Sequence, residues 1–111
     1  MLRPNVLRRK SDFSAIYNKG KSVGSAYVVL FYRKNGLSYN RTAFLASKKV
    51  GNSVARNRAR RLMRESYRTL KEKFAIGYDF IFIARNTICD SKCADVKKSI
   101  EAAAKKARVF K

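Results

Sequence analysis

The stretch Gly51-Asn52-Ser53-Val54-Ala55-Arg56-Asn57-Arg58-Ala59-Arg60-Arg61-Leu62-Met63-Arg64-Glu65-Ser66-Tyr67-Arg68 holds six arginines and one acid. Wound as an α-helix at about 100° per residue, it places Arg56, Arg60, Arg64 and Arg68 on one stripe, with Asn57 and Arg61 beside it. Ala55, Ala59, Leu62, Met63, Ser66 and Leu70 gather on the other side, the small and apolar face that a core takes in. Like charges one turn apart repel. Only Glu65 and Glu72 answer Arg56, Arg58, Arg60, Arg61, Arg64, Arg68, Lys71 and Lys73. A merely solvated helix mixes its signs to gain i, i+4 pairs, so this ridge makes sense opposite a polyanion. Asn57 lies within the cationic arc, where its amide can bond a ribose or phosphate. Arg58 falls at the far border near Leu62 and Glu65, a place that suits a structural brace as well as a phosphate contact.

Outward from the helix, Asn52 or Ser53 is the expected cap, and the helix is expected to run to about Lys73. Before it, Lys48 to Asn52 is a basic loop. Upstream, Tyr27 to Tyr32 is β-branched and aromatic throughout and reads as a strand. Arg41 to Ser47 reads as a second strand, and the turn dipeptide Asn35-Gly36 predicts a hairpin joining the two. Within the first strand, alternation sets Tyr27, Val29 and Phe31 on one face and Val28, Leu30 and Tyr32 on the other. Ser11 and Asp12 are expected to cap a short helix over Phe13 to Asn18, ended by Gly20, with Phe13, Ile16 and Tyr17 on one stripe. Residues 1 to 10 read as a basic, irregular start. Downstream, Tyr78 to Arg85 has an apolar run without alternation, the mark of a strand inside a sheet. A last helix is expected from Asp90 or Ser91 to about Val109, with Cys93, Val96, Ile100, Ala103, Ala104 and Ala107 facing inward. The order α-β-β-α-β-α predicts an α+β fold, a small and mostly antiparallel sheet with helices packed on it. An extra short strand near Ser22 to Ser25 is compatible with the pattern.

The totals bound the function. The 111 residues suit one domain, taken as a single RNA-binding domain over 1–111, and 46% of them are hydrophobic, which fits a folded core. Lys and Arg number 27 against 7 acids, a formal net charge of +20. That excess favours nucleic acid, with anionic membrane a poorer second. The longest apolar stretches are far too short to cross a bilayer and no secretory leader is expected at the start, so a cytoplasmic location is expected. The chain has no histidine, and its acids form no pair suited to general acid–base work or metal binding. Cys89 and Cys93 lack the companions of a zinc site and read as free thiols. No catalytic residue and no metal ligand is expected in this chain.

The segment Lys49-Val50-Gly51-Asn52-Ser53-Val54-Ala55-Arg56-Asn57-Arg58-Ala59-Arg60-Arg61-Leu62-Met63-Arg64-Glu65 resembles the signature of the bacterial ribonuclease P protein component, with its Arg-Asn-Arg core, basic pair and further arginine. Arg9 to Phe13, Tyr17 to Gly20, Phe44 to Lys49 and Tyr78 to Arg85 are similar to flanking parts of the same family in the same order. One departure is Arg60, where the family commonly has lysine; the charge is kept. The resemblance implies a protein subunit of a ribonucleoprotein endoribonuclease whose catalyst is an RNA. That RNA holds the Mg2+ and removes the 5′ leader from precursor tRNA, while the protein binds both. It further implies that Lys48, Lys49, Arg56, Asn57, Arg58, Arg60, Arg61, Arg64 and Arg68 face the catalytic RNA. It places the leader in a cleft with Phe13, Tyr17, Phe31 and Ser47. A left-handed crossover between parallel strands is implied as well, against the usual right hand. The partners expected are therefore the catalytic RNA and precursor tRNA, with neither DNA nor membrane. From the residues alone, Phe13 and Tyr17 can be core residues, since an aromatic stripe at helical spacing is more often packing than a base platform, and composition also allows a ribosomal or RNA-chaperone type basic protein.

Overall fold

The computed structural model describes residues 5–111, with Cys89 and Asp90 described in their backbone alone; the first residues of the basic start, Pro4 included, lie outside the described residues. The elements are α1 (Lys10–Lys19), β1 (Lys21–Gly24), β2 (Val28–Lys34), β3 (Arg41–Leu45), α2 (Ser53–Leu70), β4 (Tyr78–Ala84) and α3 (Cys93–Ala107). Short 3₁₀ turns lie at Lys71–Lys73 and Asn86–Asp90. This is the expected α+β order with the additional edge strand β1.

The sheet runs β1-β2-β4-β3. β4 is antiparallel to β2, with Phe31 opposite Ile81, and parallel to β3, with Ala43 opposite Ile81. The expected hairpin between the second and third strands is therefore wrong. The turn at Asn35-Gly36 exists, and Gly36 takes a φ of 71°. The loop after it, however, carries the chain past β4 to the sheet's far side. Asn40 fastens that loop: its Nδ2 donates to Ala75 O at 2.8 Å, and its Oδ1 accepts from Gly77 N and Tyr78 N at 2.8 and 2.9 Å. The physical reason is the sequence of β4. Phe80, Ile81 and Phe82 are fully buried, so the strand needs a neighbour on each edge and a cover on each face.

One face of β4 meets the main core, where Val28, Leu30, Phe80 and Phe82 pack against Met63, Tyr67 and Leu70 of α2 and Val96, Ile100 and Ala104 of α3. Phe44, Tyr67, Phe74, Phe80 and Phe82 form a continuous run of ring contacts through this layer. The other face carries a smaller cluster of Leu7, Ile16, Ala43 and Ile81, flanked by Phe13, Phe31, Leu45 and Ile83. Tyr27 precedes β2 and packs with the main core, not with Val29 and Phe31 as alternation suggested. α1 lies close on the sheet because Gly20 has no side chain: a Cβ there would stand 2.5 Å from Ile16 O and 2.7 Å from Tyr32 O.

Helix ends differ from expectation in informative ways. α1 starts at Lys10 with Arg9 at the N-cap, and neither Ser11 nor Asp12 caps it. Asp12 turns instead toward Arg41, whose Nη1 stands 3.5 Å away. Arg41 also donates to both oxygens of the buried Asp79, at 2.8 and 2.7 Å, and Asn35 Nδ2 adds a third bond at 2.9 Å. The hydrogen bond to Asp79 holds the Arg41 guanidinium above its ordinary pKa. α3 starts later than expected, at Cys93. Asp95 accepts from Lys92 N there, while the Asp90 side chain proposed as a cap lies outside the described residues. Cys93 is a free cysteine, exposed overall, whose Sγ lies 3.9 Å from the Oγ of the buried Ser66 of α2; further along α3, Ser99 is buried and bonds Ser25 Oγ and Tyr27 N.

Asp79→Ala strands Arg41 in a mostly buried place, so a loss of roughly 3 kcal/mol is expected in urea unfolding. The longer and more exposed contact to Asp12 predicts less than about 1 kcal/mol for Asp12→Asn. Equal losses would show that the buried carboxylate is not the anchor.

Candidate nucleic-acid interface

Asn52 is the cap of α2: its Oδ1 accepts from Ala55 N at 3.0 Å. The helix buries Ala59, Met63, Ser66, Tyr67 and Leu70, leaving Ala55 and Leu62 half-buried. Tyr67 was absent from the expected inner face, although it stands four residues after Met63 and three before Leu70. Its ring nevertheless packs on Phe44, Phe74 and Phe82, and burial raises the phenol pKa.

The outer surface carries the charge. Asn57, Arg61, Arg64 and Arg68 are exposed, Arg56 and Arg60 half-exposed, and Lys48 and Lys49 stand exposed in the turn before the helix. The stripe is ordered by its own neighbours three residues back. Arg56 Nη2 donates to Ser53 Oγ at 3.2 Å, Arg60 Nη2 to Asn57 Oδ1, and Arg68 to both Glu65 oxygens. Arg64 has another kind of support, its guanidinium carbon lying 5.7 Å above the centre of the Phe44 ring. Each long side chain thus loses part of its rotamer freedom before any partner arrives. The Arg68 hydrogen bond holds the Glu65 carboxyl below its usual range and raises Arg68 in turn. No acid stands in the first turn of α2; its cap is the neutral Asn52, so no side-chain charge in that turn offsets the helix dipole.

Arg58 points elsewhere. Its Nη2 donates to Ser91 O at 2.9 Å, bracing α2 against the chain that leads into α3. Ser91 itself is buried, its hydroxyl donating to Ile88 O at 2.6 Å. Of the two roles left open for Arg58, this geometry supplies the brace.

On the opposite face of the sheet, α1 and β2 bring three rings together. Tyr17 meets Phe31 edge-on with ring centres 5.0 Å apart, and Phe13 lies 6.4 Å from Tyr17. Phe13 and Phe31 are half-buried on the smaller cluster, while Tyr17 is 42% exposed, its phenol pKa raised by partial burial. Ser47 lies just past the end of β3. β3 ends at Leu45, two residues earlier than expected, and Ser47 Oγ accepts from Lys49 N at 3.3 Å in the lysine turn. Among the described residues no three His, Cys, Asp or Glu side chains group as a metal site, and no helix is long and apolar enough to cross a membrane.

A family model described as Ribonuclease P matches residues 1–108. The Ribonuclease P protein component of Alkaliphilus oremlandii is 44% identical over 96 residues, covering 86% of this chain and 84% of the relative. That of Clostridium botulinum is 40% identical over 110 residues, covering 98% and 99%. Among solved structures, the Staphylococcus aureus RNase P protein superposes with a TM-score of 0.87 at 32% identity, covering 98% of this chain and all of that one (100%). The RNase P protein from Thermotoga maritima gives 0.82 at 30% identity over 90% and 94% of the two chains. The protein is therefore of the small α+β class that these structures share. It belongs to the ribonuclease P protein component family.

The brace makes a separable prediction. Arg58→Ala is expected to reduce unfolding free energy by about 1 kcal/mol, and Arg61→Ala by less than about 0.5 kcal/mol. Denaturant melts of the two variants check it, and identical midpoints would remove Arg58 from the frame of the fold.

Proposed function

We propose that this chain is the non-catalytic protein subunit of a ribonuclease P ribonucleoprotein in the cytoplasm, where it assists RNA-catalysed removal of the 5′ leader from precursor tRNA. Family membership makes a role in tRNA processing the starting point. The observation that carries the finer reading is the ridge of α2: guanidinium groups steadied from within and turned outward, on a chain of net charge +20. Arg56, Arg60, Arg64 and Arg68, with Lys48 and Lys49, neutralise phosphates of the catalytic RNA and release its counterions. Asn57 and Arg61 extend that contact sideways.

Magnesium, on this reading, is held mainly by the RNA. The described residues of this chain do not supply a carboxylate cage for it, and no step is assigned to them there. Protein cations instead take over part of the work of screening phosphate repulsion, so less divalent ion is needed for the RNA to close on its substrate. The leader lies as a single strand across Phe13, Tyr17 and Phe31. Aromatic faces accept any base, so the cleft binds leaders with little demand on sequence. Ser47 stands at the lysine turn, where its hydroxyl suits a phosphate or ribose contact.

Reconstitution tests the reading. Adding the protein to its catalytic RNA at low magnesium is expected to accelerate cleavage of a precursor tRNA; no acceleration would point to a ribosomal or chaperone-like role. Cleavage by rigorously RNA-free protein would assign the chemistry to this chain and reject the proposal.

Leader binding has its own signature. Tyr17→Ala and Phe31→Ala are expected to weaken holoenzyme binding of a precursor relative to mature tRNA by about 1–3 kcal/mol. Equal weakening for both substrates would reduce the rings to packing.

A further inference from the structure

Beside the ridge, a groove of about 610 Å³ opens along the outer edge of β3, between the last turns of α2 and residues 5–7. Its size falls within the roughly 300–1,000 Å³ of ordinary ligand clefts. The edge is closed at Thr42, whose N–H donates to Asn5 O at 2.9 Å and whose carbonyl accepts from Leu7 N at 3.0 Å. That pairing is a single parallel bridge. Strand alternation turns the peptide groups of Phe44 to the same edge, two residues further on.

The lining combines two chemistries. Arg64, Arg68 and Lys71 make one wall cationic. Val6, Tyr39 and Ile76 are also part of the lining and remain 38%, 39% and 56% exposed. Phe44 lies between them, stacked on Phe82 at 5.4 Å and 10° with the Arg64 guanidinium over its ring. A guanidinium plane already seated on an aromatic ring is a platform for a further flat group. Apolar surface beside fixed cations suits a partner that is planar on one side and anionic on the other, which is the chemistry of a nucleotide. A protein strand added to β3 would find only the short stretch about Phe44 to pair with, and its approach would meet the cations.

We infer that this groove receives an unpaired nucleotide of the catalytic RNA, its base stacked on Arg64 above Phe44 and its phosphate on Lys71. The inference rests on the reading of the ridge given above. Arg64 and Arg68 belong both to the ridge and to the groove wall, so an RNA lying on α2 reaches the groove without leaving the helix. Of the three leader-cleft rings, only Phe13 lines it. Arg64 then acts as a stacking surface as well as a phosphate partner, and Tyr39 and Ile76 fix the base from the side.

The test uses the full chain bound to its catalytic RNA, with 2′-hydroxyl acylation read at each nucleotide. Lys71→Ala and Ile76→Ser change exposed groups, so both variants keep the fold. With the unaltered protein, an unpaired nucleotide of the RNA is expected to lose reactivity. Each variant restores reactivity at that nucleotide, leaves the other protections in place, and weakens the complex roughly fivefold or more. Footprints unchanged by both variants overturn the inference and return the edge to a protein partner or to none. Weaker binding of precursor than of mature tRNA, with the footprint on the catalytic RNA intact, overturns it in favour of the leader. If the unaltered protein protects no nucleotide anywhere, the reading of the ridge itself fails, which is a distinguishable result.

Discussion

β4 can be sealed on both faces only if other elements surround it, and the arrangement of the molecule follows from that need. β2 takes one edge in antiparallel register and β3 takes the other in parallel register. Parallel neighbours require a crossover longer than a tight turn, and α2 is that crossover. Its inner stripe closes the main core over Phe80 and Phe82, and its outer stripe is left to solvent. The same strand turns Ile81 and Ile83 to the opposite face, under α1. The cationic ridge and the aromatic cleft are thus two sides of one buried strand, and displacing β4 would disturb both.

Charge is distributed by the same logic. Asp79 is the one acid among the described residues that is buried, and it is matched to Arg41 at the junction of β3 and β4. Ion pairs among the described residues include Arg41 with Asp12, Arg41 with Asp79, and Arg68 with Glu65. With 27 basic residues against 7 acids, most of the positive charge has no acidic counterpart in the sequence and raises the energy of the compact state by self-repulsion. Binding a polyanion relieves that repulsion, so assembly with RNA and consolidation of the fold are favoured together.

How much of this could be read beforehand depended on the distance over which each signal acts. The helical ridge was readable because a four-residue stripe is local, and exposure follows it. The ordering of its arginines by Ser53, Asn57 and Glu65 was readable in principle from the same helix, three residues back. The hairpin was misread because Asn35-Gly36 describes a turn and says nothing about where the chain goes next; that is decided by Asn40 and its partners Ala75 and Gly77, 35 and 37 residues further along the chain. Asp12 was misread as a cap because its partner Arg41 is remote in sequence. Tyr67 was left out of the expected inner face, although it stands four residues after Met63 and three before Leu70, both buried with it. The meeting of Phe13, Tyr17 and Phe31 came from family resemblance, since periodicity alone could not tell packing from a binding surface.

The segment after α3 closes back on the stretch just before β4. Ala75 N donates to Val109 O at 2.7 Å, Lys111 N to Lys73 O at 2.8 Å, and Phe110 meets Phe74 edge-on at 5.0 Å. Leu7, near the other end, is stitched to Thr42. A nascent chain leaving the ribosome therefore holds its most water-averse strand before the clasp of residues 109–111 has been made. During that interval the repulsion among emerging lysines and arginines keeps neighbouring copies apart, a solubility service performed by the same side chains that later meet RNA.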